Sequence, residues 1–76
     1  MLTNQYRFRG NVAIKNDRRI FSKWDLLCAV EEVARENYRL VCGNTMSFVC
    51  HYDHLTCAEL VEALRELINR YNELTK

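Results

Sequence analysis

The sequence predicts an α+β fold: an antiparallel sheet of three to four strands with two helices on one face, in the order β(β)α-ββα, as a single compact domain over residues 1–76. Three observations point there. Two segments open on a helix-start signature and carry one apolar stripe each. The stretch Tyr6–Lys15 alternates apolar and polar residues. Two further short apolar runs flank Gly43. A helix with a single stripe needs one sheet face to cover, and a strictly alternating strand needs one wet face.

Tyr6-Arg7-Phe8-Arg9-Gly10-Asn11-Val12-Ala13-Ile14-Lys15 keeps its larger apolar residues at even positions, the period of a half-buried strand. Gly10 within it suggests a bulge or bend. Asn16-Asp17-Arg18 is a turn signal, because Asn and Asp tolerate the left-handed region and hydrogen-bond their own backbone. A three-residue turn there sets Ile14 opposite Ile20 on a short returning strand.

The first helix is expected over Lys23–Asn37, with Ser22 as N-cap, Asp25 in the first turn and Phe21 and Leu26 as a hydrophobic staple. Its inward stripe is Leu26, Leu27, Val30, Val33 and Ala34. Glu31 and Arg35 are spaced for an i,i+4 pair. Tyr38–Cys42 and Met46–Tyr52 read as a hairpin around Gly43-Asn44-Thr45. A three-residue loop pairs Cys42 with Met46, Leu40 with Phe48 and Tyr38 with Cys50, and a one-residue slip inverts the burial pattern.

The closing helix is expected over Leu55–Leu74. Thr56 and Glu59 form the capping-box pattern, with Leu55 and Leu60 at the staple positions. Leu60, Val61, Leu64, Leu67, Ile68 and Tyr71 make the stripe, and Glu66 and Arg70 are spaced to pair. Its start echoes that of the first helix at an offset of 34 residues, Ser22 matching Thr56 and Leu26 matching Leu60. Two copies are too few for a solenoid.

Apart from the helical stripes, the inward set is Tyr6, Phe8, Val12, Ile14, Ile20, Tyr38, Leu40, Phe48 and Cys50. Trp24 borders the first stripe as a lid on the core or an interface anchor. Cys28 points outward, and Cys57 falls on the buried stripe.

A 76-residue chain without proline makes one small domain. No run of apolar residues is long enough for a membrane span, and Met1–Gln5 shows no secretory leader pattern. A cytoplasmic location with reduced cysteines is therefore expected. Charge is unevenly spread. Met1–Lys23 holds six cations against Asp17, a net +5, and the remainder holds five cations against nine carboxylates, a net −4. Such asymmetry suits an anionic partner or self-association.

In this arrangement the open sheet face carries Arg7, Arg9, Lys15, Arg19 and Arg39, with Val49 in a small aliphatic patch. These six are the candidate partner-binding residues. The leading expectation is a small non-enzymatic interaction protein that docks on an acidic surface of a larger protein as inhibitor or adaptor, as a monomer or homodimer. Inhibitors carried by phages and mobile elements fit that description, as do many other proteins. A nucleic-acid-binding module using the same face is the alternative. Its stacking form needs outward aromatics, which this register lacks. Arginines on an exposed strand also serve simply to keep it soluble and to blunt an edge.

Cys50, His54 and Cys57 raise a third alternative, a zinc-stabilised domain, although their spacing is not that of a zinc finger. Cys57 at a helix start, near histidines, also has the setting of an activated thiol. Burial opposes that activation, and no further catalytic group is evident, so neither enzyme chemistry nor a cofactor is expected.

Overall fold

The computed structural model describes residues 5–20, 22–44 and 46–76, with the backbone of Val49 but not its side chain. The staple expected from Phe21 and the loop position of Thr45 lie outside the described residues. The fold is α+β. Strands β1 (Tyr6–Arg9), β2 (Val12–Lys15) and β3 (Arg18–Arg19) form an antiparallel sheet in the order β1-β2-β3. Helix α1 (Lys23–Cys42), the single-turn helix α2 (Val49–Tyr52) and helix α3 (Cys57–Leu74) follow.

The N-terminal stretch folds back twice. Gly10 adopts φ +59° between Arg9 and Val12, which face each other across a two-residue turn. Glycine enters that region without steric cost. Asn16 and Asp17 both take positive φ, 52° and 65°, and turn β2 into β3 with Lys15 opposite Arg18. This is the tight-hairpin geometry whose twist matches its strands. Tyr6–Lys15 is therefore two strands rather than one bulged strand, and Ile14 faces Arg19, not Ile20.

Both turns being two residues long decides which side chains share a face. Tyr6 lies opposite Lys15, and Phe8 opposite Ala13. Even positions of β1 therefore share a face with odd positions of β2. Tyr6 and Ala13 are buried, and Phe8 and Ile20 pack against the same core. Val12 and Ile14, expected inside, lie on the opposite face and remain half-buried.

The two long helices begin as their sequences foretell. Ser22 Oγ accepts from the Asp25 amide at 3.0 Å. Thr56 and Glu59 close a full capping box: Thr56 Oγ1 accepts from the Glu59 amide at 3.2 Å, and the Thr56 amide donates to Glu59 Oε1 at 3.0 Å. Leu26, Leu27, Val30, Val33 and Ala34 are buried on α1, with Ala29 and Asn37; Leu60, Val61, Leu64 and Ile68 are buried on α3. Leu60 and Leu64 are fully enclosed, and each such leucine contributes about 2 kcal/mol. The expected Glu31–Arg35 and Glu66–Arg70 pairs are replaced among the described residues by Glu36–Arg39 and Glu62–Arg65, three apart.

The second expected hairpin is not formed. Tyr38–Cys42 completes α1, and Val49–Tyr52 is a helical turn. Propagation of an established helix fixes one residue per hydrogen bond, whereas a new hairpin must first close its loop. Gly43, at φ +80°, ends α1 in the left-handed conformation, its amide donating to Arg39 O at 2.8 Å. Phe48 meets Tyr38, edge to face at 5.6 Å, rather than Leu40, and Leu40 and Cys50 are exposed. Trp24 is 69% exposed and so covers little of the core. Cys28, Cys42, Cys50 and Cys57 are all exposed free thiols. Cys57 was expected on the buried stripe, but it is the first residue of α3, one turn before full burial begins at Leu60.

Both long helices meet the sheet on its Tyr6 and Phe8 face. Lys15 of β2 donates to Glu32 of α1 at 3.2 Å. Arg65 of α3 lies 5.2 Å from the Phe8 ring centre and donates to Gly10 O. On the other sheet face Arg7, Arg9 and Arg19 are exposed.

Candidate protein-docking face

The open face is built from alternation and register. Arg7 and Arg9 project from β1 to the side opposite Tyr6 and Phe8. Register places Arg7 beside Ile14 and Ile14 beside Arg19, in one row across the sheet. Arg9 and Val12 form the next row. Two half-buried aliphatic side chains are thus framed by three exposed arginines. An apolar centre with a polar rim is the common anatomy of a protein interface.

Internal carboxylates leave part of this rim without a counter-charge. Glu32 takes Lys15, Glu36 takes Arg39 and Glu62 takes Arg65. Arg7 and Arg9 have no ion-pair partner among the described residues. Adjacent rows of a strand's face lie about 7 Å apart, closer than the screening length of about 8 Å at physiological salt. The two guanidinium groups therefore repel each other, and an incoming carboxylate relieves that repulsion.

The six sequence-derived positions divide. Arg7, Arg9 and Arg19 are brought together. Lys15 lies on the other face, because the two-residue turn after Arg9 reverses the parity of β2. Its ammonium sits 5.5 Å from the Tyr6 ring centre. Desolvation pulls Lys15 down, but Glu32 and Tyr6 outweigh it and raise its pKa overall. Burial pushes the Tyr6 phenol up as well, with Glu32 adding to the effect and Lys15 opposing it. Lys15 thus braces the sheet on α1 rather than greeting a partner.

Arg39 belongs to α1, where its Nε donates to Glu36 Oε1 at 3.1 Å. Those hydrogen bonds hold the Glu36 carboxyl below the usual carboxylate range. Val49 belongs to α2, and the role given to its side chain lies outside the description. Val12 and Ile14 join the face in their place. The signal for them was Gly10-Asn11 read as a two-residue hairpin turn, with glycine first, instead of a bulge.

A concavity of about 230 Å³ opens between the C-terminal half of α1, α2 and α3, lined by Tyr38, Val41, Phe48, Tyr52, Leu67 and Arg70 among others. At its base Asn37 Nδ2 donates to Leu67 O at 3.0 Å, tying α1 to α3. Asn37 Oδ1 is buried without a partner among the described residues.

The three residues of the zinc alternative are dispersed over α2, the following turn and the first residue of α3. His54 Nδ1 lies 3.8 Å from Asp53. Among the described residues, no three His, Cys, Asp or Glu side chains converge as a ligand set. No described helix is long and apolar enough to cross a membrane. Comparison of the chain with protein-family models, curated proteins and solved structures gave no match.

Proposed function

We propose that this chain is a small, non-enzymatic interaction protein that docks through its open sheet face on an acidic surface of a larger protein, as an inhibitor or adaptor. One observation carries the reading: register sets the exposed Arg7, Arg9 and Arg19 around the half-buried Val12 and Ile14 on the sheet face opposite Tyr6 and Phe8, and Arg7 and Arg9 lack an internal counter-charge among the described residues. The charged rim sets on-rate and orientation, and the aliphatic pair is the part that gains from desolvation.

Nucleic acid is the competing ligand for such a rim. Protein is the preferred reading, since the described side chains of this face are aliphatic and arginine rather than aromatic, and single-stranded bases stack on aromatics. The test is affinity capture from nuclease-treated lysate with tagged wild type and with Arg7→Glu plus Arg9→Glu. The expected result is a captured protein that survives nuclease and is lost with the double reversal, at unchanged melting temperature. Capture indifferent to the reversal refutes the reading. Capture abolished by nuclease transfers the face to nucleic acid.

A further inference from the structure

The register says which backbone groups of β1 are already used. The Asn16 amide donates to Gln5 O at 2.9 Å, so Gln5 and Asn16 form a hydrogen-bonded pair. In an antiparallel ladder bonded and non-bonded pairs alternate. Arg7 with Ile14 and Arg9 with Val12 are therefore bonded, whereas Tyr6 with Lys15 and Phe8 with Ala13 are not. The amide and carbonyl of Tyr6 and of Phe8 consequently point away from β2, along the outer edge of the sheet. The Tyr6 carbonyl and both groups of Phe8 have no partner among the described residues, whereas the Tyr6 amide follows a 3-10 turn that ends at Gln5 and is not counted as open. β3 offers less: the Ile20 amide donates to Ala13 O at 2.9 Å, which leaves Arg19 as its one strand residue turned to the far edge.

An open edge accepts another strand, and the side chains of β1 state what that strand must carry. Arg7 and Arg9 alternate on the outer face. On the inner face the half-buried Phe8 ring stands beside the edge, with Arg65 across it. A second copy of this chain is a poor occupant, because β1 paired with β1 sets arginines opposite arginines, and like charges facing each other across strands are destabilising. A strand with carboxylates on its outer face and aliphatic residues on its inner face satisfies both sides at once.

We infer that the partner is held by strand addition: an extended segment of alternating acidic and aliphatic residues pairs antiparallel with Tyr6–Arg9 as a fourth strand. Its aliphatic residues lie opposite Tyr6 and Phe8 and supply the ladder hydrogen bonds. Its carboxylates lie against Arg7 and Arg9. This is the edge-recognition mode in which main-chain bonds hold the segment and alternate side chains select it. The inference rests on the proposed function and names the mode of docking.

The mode fixes which peptide amides matter. In antiparallel pairing the residues opposite Tyr6 and Phe8 turn their amides toward β1, and their neighbours turn theirs away. The probe is a fluorescent synthetic peptide of alternating glutamate and valine, in three forms: unmodified, N-methylated at the valine amides, and N-methylated at the glutamate amides. All three carry the same charge. Binding to the full chain is read by fluorescence anisotropy at low salt.

The unmodified and glutamate-methylated peptides should bind alike, and the valine-methylated peptide should be weaker by about tenfold or more. Any other pattern, including no binding of the unmodified peptide, overturns strand addition. Repeating the titration with Arg7→Glu plus Arg9→Glu separates the two claims. If all three peptides bind wild type equally and none binds the reversed variant, strand addition is wrong and the acid-recognising face stands. If the reversal changes nothing, the proposed function fails with it.

Discussion

The dipeptide Gly-Asn occurs at Gly10-Asn11 and again at Gly43-Asn44, and both glycines sit at positive φ, +59° and +80°. At the first site the chain reverses within two residues and pairs with itself. At the second it leaves the end of a 20-residue helix. The glycine does the same local thing in both places: it enters a region that other residues enter only at a cost. What differs is the preceding segment. Tyr6-Arg7-Phe8-Arg9 is rich in aromatics at alternate positions and suits a pleated strand. Tyr38–Cys42 follows four turns of capped, buried helix, and continuing that helix requires no new nucleus. A turn signal marks where a chain bends, and its neighbours decide into what.

The largest expected effect breaks the comparison on the helical side. Arg39→Pro removes one ladder bond of α1 and should cost about 3 kcal/mol in denaturant unfolding, with loss of helical circular dichroism. Arg39→Ala, which keeps the backbone, should stay within about 0.5 kcal/mol of wild type. Next comes the hairpin. Gly10→Ala forces a side chain to φ +59° and should destabilise by about 1–2 kcal/mol. No heavy atom lies within 4 Å of the added methyl, so that cost is backbone strain rather than collision. Gly43→Ala meets equally open space but sits at a helix end whose last turn can unwind. It should cost less, about 1 kcal/mol, and hydrogen exchange should speed only near Cys42.

The smallest effect concerns helix starts, where no glycine is involved. Hydrogen bonds from the Thr56 backbone and side chain hold the Glu59 carboxyl below its ordinary value of 4.5. A lowered folded pKa means that the ionised form is favoured in the native state. The contribution is therefore complete above pH 4.5 and is lost as pH falls through the lower folded value. Glu59→Gln should reduce the melting temperature slightly at pH 7, and the gap from wild type should close in acid. A gap that is constant with pH would show the carboxylate to be idle.

Much of this was legible in the residues. Ser22 and Thr56 cap the helices they precede, and the five apolar positions that begin the stripe are buried in α1, as are four of their five counterparts in α3. Local patterns of this kind are enforced within a turn or two of chain. The sheet was legible in kind but not in parity. Reading Gly10-Asn11 as a bend kept Val12 and Ile14 in phase with Tyr6, whereas a true reversal swaps the faces of everything after it. That one step turned Lys15 inward and put Val12 and Ile14 among the arginines. Tyr38–Cys42 failed for a different reason: Leu40 and Val41 have strand-like composition, and only the helix already running through Asn37 overrides it. Arg7, Arg9 and Arg19 survived because alternation within β1 needs no turn, and the two turns together restore Arg19 to their side.

The four outward thiols have a practical consequence. They lie on all three helices, at residues 28, 42, 50 and 57, so under oxidising conditions the chain is a four-armed monomer rather than a two-armed one. Air-oxidised material should accordingly branch into a network, seen as a smear climbing a non-reducing gel and collapsing to one band with dithiothreitol.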